Sequence, residues 1–307
     1  MRMNAMSEPS YLSLYRGGKL QERIDRALEL ISPACRLCPR NCCVDRLAGK
    51  TGICKTGAKA IVASYSPHFG EEAPLVGMYG SGTIFFSSCN LRCSFCQNYE
   101  ISHHLVGKAV EPDDLAAIMI RLQKLGCHNI NFVTPTHVMP QILQALIPAS
   151  EGGLDIPLVY NCGGYESVEA LKLLEGIVDI FMPDFKFWDN KWAERFCHVT
   201  DYQEKARAAL REMHRQVGDL QINEKGLAVR GLLVRHLVMP DDIAGSREVM
   251  TFLAREISPH TYVNVMGQYR PCGLAINDDL INRRIKAAEL ATAVKEALQA
   301  GLYRLDE

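Results

Sequence analysis

Cys89, Cys93 and Cys96 stand in the run 88–98, Ser-Cys-Asn-Leu-Arg-Cys-Ser-Phe-Cys-Gln-Asn, with the spacing C-x3-C-x2-C. A strand-like stretch, Thr-Ile-Phe-Phe-Ser over 83–87, leads directly into them. Thiolate is a soft ligand suited to iron, and a cubane [4Fe–4S] core usually takes four of them. A tight loop with three thiols and no fourth neighbour leaves one iron without a protein ligand. An open coordination position separates a reactive metal site from a structural one. The plainer alternative is three free buried cysteines, since cysteine is among the most buried residue types. Their crowding between a strand and a polar turn argues for metal instead.

A second set, Cys35, Cys38, Cys42 and Cys54, is spaced C-x2-C-x3-C-x11-C. Four thiolates with a Gly-containing return loop can close a zinc site or ligate an auxiliary iron–sulfur cluster. Neighbouring residues rarely ligate one metal, so either Cys42 or Cys43 is a spectator, and the spacing favours Cys42 as the ligand. A fully ligated site of this kind is structural or electron-transferring rather than catalytic. Of the 12 cysteines, eight lie between residues 35 and 96. Cys127, Cys162, Cys197 and Cys272 read as ordinary small buried residues.

The chain has 307 residues, with 34 Lys and Arg against 35 Asp and Glu. That balance gives no general signal for nucleic-acid binding. The N-terminus lacks the apolar region of a secretory signal, and no run approaches the ~20 apolar residues that span a bilayer. The reading is therefore a soluble, cytoplasmic protein whose thiols stay reduced.

Placing these residues requires a scaffold. From residue 80 onward strand-like runs (83–87, 129–133, 158–160, 178–182, 232–238 and 262–265) alternate with helical patterns. The helical patterns cover 112–125, 139–146, 167–174, 191–217, 243–257 and 278–298. Alternation of this kind predicts a parallel sheet. Six βα repeats are two short of a closed eight-stranded barrel, so the expected fold is α/β, a partial (βα)6 TIM-type barrel. Residues 1–75 differ: a helix over 20–31, a Cys-rich metal-binding region and a short strand near 61–64. The expected division is 1–75 and 76–307, the first part being too small to hold itself by burial alone.

In such a barrel chemistry gathers at the carboxyl ends of the strands. Met182, Asp184 and Lys186 share one face by the strand period of two, and an Asp–Lys pair there suits a bound amino acid; the alternative is a solvated ion pair. Asn161 ends another strand. Arg235 and His236 point to opposite faces of one strand, with His236 the better candidate for a satisfied core histidine. Thr134, Thr136 and His137 offer oxygen and nitrogen acceptors after the second strand. Gln268, with Tyr269 and Arg270, follows the last. Glu71 and Glu72, in Gly-Glu-Glu-Ala-Pro, read as a solvated loop.

The cysteine loop, followed by Gln97 and Asn98 and preceded by Gly-Ser-Gly-Thr-Ile over 80–84, resembles that of the radical S-adenosylmethionine (radical SAM) enzymes. From about Cys35 to near the C-terminus the chain is similar to the pyruvate formate-lyase activating enzyme-like proteins. The resemblance implies the partial barrel, a [4Fe–4S] cluster on Cys89, Cys93 and Cys96, and S-adenosylmethionine as cosubstrate. It implies that Met182, Asp184 and Lys186 match a Met-x-Asp-x-Lys strand end against the methionyl group, and that Arg235 approaches the methionine carboxylate. Asn161 replaces a family carboxylate. Val-Thr-Pro-Thr-His over 133–137 replaces a Gly-Gly-Glu-type stretch, leaving Thr134 and His137 as candidates for ammonium recognition. The activity implied is an anaerobic oxidoreductase that cleaves S-adenosylmethionine reductively and abstracts hydrogen, in this family from a glycyl-radical enzyme. A reductant such as flavodoxin or ferredoxin would serve it. The alternatives are modification of a metabolite, peptide or RNA, or a non-catalytic iron–sulfur electron-transfer protein.

Overall fold

A computed structural model describes residues 8–306, and its centre is an open, mostly parallel sheet. The strands are β1 (Ala60–His68), β2 (Ser81–Phe86), β3 (Lys108–Val110), β4 (Ile130–Val133), β5 (Leu158–Cys162), β6 (Ile180–Pro183), β7 (Gln221–Ile222), β8 (Ala228–Leu237), β9 (Tyr262–Met266) and β10 (Arg304–Leu305). Their order is β10-β9-β8-β6-β5-β4-β2-β1-β3, with β7 paired to β8. From β10 to β2 every neighbouring pair is parallel; β1 runs antiparallel to both β2 and β3. The six parallel strands expected from the sequence are all present. The sheet does not close, since β3 and β10 are its unpaired ends.

Strands β4, β5 and β6 are almost wholly buried and mostly apolar, as parallel strands covered by helices are, with Asn131 and Asn161 as their polar exceptions. The helix Pro112–Lys124 shows how the sequence starts a covering layer. Pro112 occupies its first turn, Glu111 and Asp114 form a reciprocal capping box, and Gly126 follows at φ 93°. Leu115, Met119 and Leu122 face the core; Leu125, at the C-cap, is exposed.

Four helix limits differ from expectation, the simplest being the helix expected over 139–146, which runs on to Glu151. The stretch 191–217 is two helices, Asn190–Cys197 and Tyr202–Val217, because His198 adopts the left-handed conformation that ends the first. The last helix begins at Ala287, where Glu289 reaches back to the Lys286 amide. The helix expected over 243–257 begins at Ser246 and ends in a π-helical turn, Leu253–Ile257. β1 is also longer than the short strand expected near 61–64, and it joins the N-terminal region to the main sheet through β2.

The segment between β1 and β2 reaches across to the other side of the sheet. Glu72 accepts hydrogen bonds from Arg235 of β8 and Asn264 of β9. A clasp thus bridges two regions that strand pairing leaves apart. Inside the curve of the sheet a small apolar cluster of Leu75, Val159, Ile180, Met182 and Leu233 fills the floor.

Candidate active site

The cysteine loop leaves the carboxyl end of β2 and opens on a cleft at the mouth of the sheet. Cys89, Cys93 and Cys96 line one wall; Thr134, Asn161, Asp184, Lys186, Arg235 and Gln268, from the ends of β4, β5, β6, β8 and β9, line the rest. The loop turns on two left-handed residues, Ser88 (φ 73°) and Arg92 (φ 53°). Thr134 also sits at φ 61°. A β-branched residue there is a strained outlier of the kind concentrated at functional sites. Its amide is held by the carbonyl of Asn161 at 2.9 Å.

The three thiols are hard to ionise by themselves. Burial, then the neighbouring Cys93, pushes Cys89 up to about 12. Cys93 is raised by its hydrogen bond with Cys197, 3.3 Å away, and by burial; Cys96 is raised by burial and by Cys93. A soft metal core supplies the positive charge that three thiolates need. The hydroxyl oxygen of Ser88, on the same wall, is buried without a partner. The donor set and this orphaned group fit an iron–sulfur core at the cleft.

Across the cleft, Lys186 Nζ lies 2.5 Å from Asp184 Oδ2. Burial disfavours the ammonium, but the Asp184 charge, then those of Cys93 and Tyr202, outweigh it and hold Lys186 well above its ordinary range. The buried Tyr202 hydroxyl fixes this turn, accepting from the Lys186 amide at 2.9 Å and lying 2.9 and 3.1 Å from the carbonyls of Gly163 and Asp184. Gly164, at φ 77°, packs so closely that a Cβ would run into the Asp184 carbonyl oxygen. Gly164→Ala is therefore expected to cost roughly 2–3 kcal/mol, read as a lower urea midpoint. A midpoint equal to wild type would mean the turn yields freely.

The ends of β8 and β9 differ from the sequence reading. Arg235 is largely committed within the protein: Glu71 and Glu72 both accept from its guanidinium, and Asn161 Oδ1 lies 3.4 Å from Nη1, which leaves one Nη1 proton unused. Glu71 and Glu72, read as a solvated loop, are 6% and 1% exposed at their side chains. Burial would raise Glu72, yet the hydrogen bond and charge of Arg235 hold it below the usual carboxylate range. The local Gly-Glu-Glu-Ala-Pro pattern carries no sign of a partner 163 residues away.

Four other residues lie off the cleft. Met182 is fully buried in the apolar floor, below the wall it was expected to line. His137 turns away, and its Nε2 donates to the Ser87 carbonyl at 2.8 Å. Tyr269 is core, with its hydroxyl on the Ile281 carbonyl at 2.8 Å. His236 is the satisfied core histidine expected, between the Phe185 carbonyl and Ser246. Cys162 and Cys197, read as ordinary buried residues, have particular positions: Cys162 lines the cleft and Cys197 touches Cys93.

Cys35, Cys38, Cys42 and Cys54 surround a separate recess beside the cysteine loop, with His137 on its wall. Cys43 is exposed and lies outside it, its thiol on the Asn41 carbonyl. Among the described residues no three His, Cys, Asp or Glu side chains already converge at the spacing of a single ion. Arg40, between the second and third of these cysteines, binds the carbonyls of Asn90, Leu91, Cys197 and His198 and so pins this region to the cysteine loop.

The radical SAM superfamily profile matches residues 83–222, from β2 to β7. The chain belongs to the radical SAM superfamily, whose members bind a [4Fe–4S] cluster and S-adenosylmethionine. It is 32% identical over 282 residues to the uncharacterized protein MJ0674 of Methanocaldococcus jannaschii, covering 89% of this chain and 75% of that one. A second uncharacterized protein of that organism, MJ0808, is 25% identical over 169 residues, 50% of this chain and 49% of the other. The crystal structure of methylornithine synthase (PylB) aligns with a TM-score of 0.47 and 13% identity over 71% of this chain and 62% of that chain. No helix among the described residues is long and apolar enough to cross a membrane.

Proposed function

We propose that Cys89, Cys93 and Cys96 hold the [4Fe–4S] cluster, that S-adenosylmethionine lies between it and the Asp184–Lys186 pair, and that the substrate is a peptide backbone, as in activation of a glycyl-radical enzyme. The observation that carries the reading is the shared cleft: three thiols and a half-buried, charged Asp–Lys pair face one space. When bound, the reduced cluster supplies one electron that splits S-adenosylmethionine into methionine and a 5′-deoxyadenosyl radical, which takes a hydrogen atom from the substrate.

The chain's own residues bind and orient. Lys186 spends one Nζ proton on Asp184, leaving the others for the methionine carboxylate, since the guanidinium of Arg235 is mostly taken up by Glu71 and Glu72. The second oxygen of Asp184 and the Thr134 hydroxyl are acceptors for the ammonium, and Asn161 steadies the cleft through Arg235. Gln97, Asn98 and Gln268 line the cleft, and all three are exposed. Uncharged amides at the mouth match the donors and acceptors of a peptide backbone. A one-electron donor of the flavodoxin or ferredoxin class would reduce the cluster.

The test is anaerobic protein reconstituted with iron and sulfide, given dithionite and S-adenosylmethionine. Equimolar methionine and 5′-deoxyadenosine are expected, and absence of 5′-deoxyadenosine would overturn the cleavage reading. For the substrate, a glycyl-radical enzyme carrying deuterated glycine is expected to pass deuterium into 5′-deoxyadenosine. Transfer instead from a labelled metabolite, with none from the protein, would overturn the peptide reading and leave cleavage intact.

A further inference from the structure

The recess walled by Cys35, Cys38, Cys42 and Cys54 holds three features that are each unfavourable alone. Four thiols line one small recess, with Cys35 and Cys54 buried and Cys38 and Cys42 half-buried. Arg46, on the same wall, is 1% exposed and has no carboxylate partner among the described residues; its guanidinium donates to the Gly57 carbonyl alone. A buried guanidinium without a counter-charge is costly. His137, also on the wall and 1% exposed, gives its Nε2 proton to Ser87, so Nδ1 presents a lone pair; that atom is buried with no partner.

These demands conflict for any simple occupant. A bare cation would answer the thiols and the His137 lone pair but would oppose Arg46. A simple anion would answer Arg46 and oppose the other two. A metal core ligated by four thiolates answers the thiols and Arg46 together: its metal takes the place of the thiol protons, and the charge it leaves outside is negative. A zinc tetrathiolate and a [4Fe–4S] tetrathiolate both carry about −2.

We propose that Cys35, Cys38, Cys42 and Cys54 bind a second metal–tetrathiolate centre, with Arg46 as its buried counter-cation. The backbone supports this ligand choice. Cys35 donates its amide to the Val44 carbonyl and accepts from the Cys43 amide, so the two arms of the loop pair and Cys42 faces inward while Cys43 faces out. A Cβ on Gly52 would lie 2.6 Å from the Cys42 sulfur, so the return loop must carry glycine to let that thiol into the recess. Thiols bind a metal as thiolates in the folded loop, so metal affinity becomes folding free energy for this region. The centre would also lie next to the catalytic loop, since Asn90 lines the recess and adjoins Cys89.

Metal analysis of the full chain tests this without reference to activity. Iron, acid-labile sulfide and zinc are measured on anaerobically purified wild type, Cys42→Ser, Cys43→Ser and Cys93→Ala. Cys42→Ser is expected to lose one whole centre, either about four irons with their sulfides or about one zinc, while Cys43→Ser loses nothing. Cys93→Ala, which leaves the recess intact, is expected to retain that same centre. The identity of the metal lost distinguishes the iron–sulfur form from the zinc form. Equal metal in wild type and Cys42→Ser, equal loss in both serine variants, or a Cys93→Ala protein with neither iron nor zinc would overturn the proposal.

Discussion

Cys93→Ala is expected to lower 5′-deoxyadenosine formation at least about a thousandfold, the scale on which removal of a whole catalytic group acts. A three-thiolate loop has no spare ligand within its own sequence, so deleting one leaves two irons of the core without protein sulfur. The structure adds a complication: the Cys197 thiol lies 3.3 Å from that of Cys93, from the end of the helix Asn190–Cys197. A cluster that lost Cys93 could take Cys197 in its place. Three proteins resolve this. Cys197→Ala alone is expected to retain S-adenosylmethionine cleavage within about tenfold, as a group acting through a ligand does. Cys93→Ala should fall to near background, and the double variant to background. Full activity in Cys93→Ala would show that this loop does not hold the reactive cluster; full activity only while Cys197 is present would show substitution by the neighbour. Parallel iron and sulfide analysis separates a missing cluster from a cluster that cannot cleave.

That neighbour was hidden in the sequence for a physical reason. Cys89, Cys93 and Cys96 are legible because ligand spacing within a loop is local, and the central parallel strands are legible because burial on both faces writes mostly apolar runs. Asp184 and Lys186 follow from the strand period of two. The contacts that fail to appear are all non-local. Cys197 meets Cys93 across 104 residues, and Glu72 meets Arg235 across 163. Met182 obeys the same period as Asp184 yet lies one layer lower, where the sheet interior is apolar floor rather than cleft. His137 fails differently: it follows a strand end, but the short 3-10 turn Thr136–Val138 carries its ring to the neighbouring recess. Alternation says which face a residue takes. Depth along the barrel axis, and rotation after the strand ends, are set by tertiary packing.

The clasp between Arg235 and the two glutamates is where such a non-local contact carries the most energy. Arg235→Met removes the one cation shared by Glu71 and Glu72 and leaves two carboxylates buried side by side. Breaking a buried pair by deleting one partner costs about 3–5 kcal/mol, so the melting temperature should drop on the order of 10 °C. The pH dependence has a definite sign. In wild type Glu72 is held below its ordinary pKa, so it binds fewer protons folded than unfolded, and its contribution, full above the unfolded value, is lost as pH falls through the folded one. In Arg235→Met burial and mutual repulsion raise both carboxylates. The folded variant then binds more protons than the unfolded chain, and its stability declines as pH rises above about 4.5. The gap between the two proteins should therefore be widest near neutral pH and narrow on acidification. Arg235→Met/Glu72→Gln, with one carboxylate neutralised, should recover part of the loss. Urea unfolding at several pH values measures all of this. A pH-independent difference below about 1 kcal/mol would mean that the clasp is no more than a solvated surface pair. A large, pH-dependent loss would show that an ion pair joining the β1–β2 segment to β8 and β9 holds together a sheet that hydrogen bonding between strands leaves open.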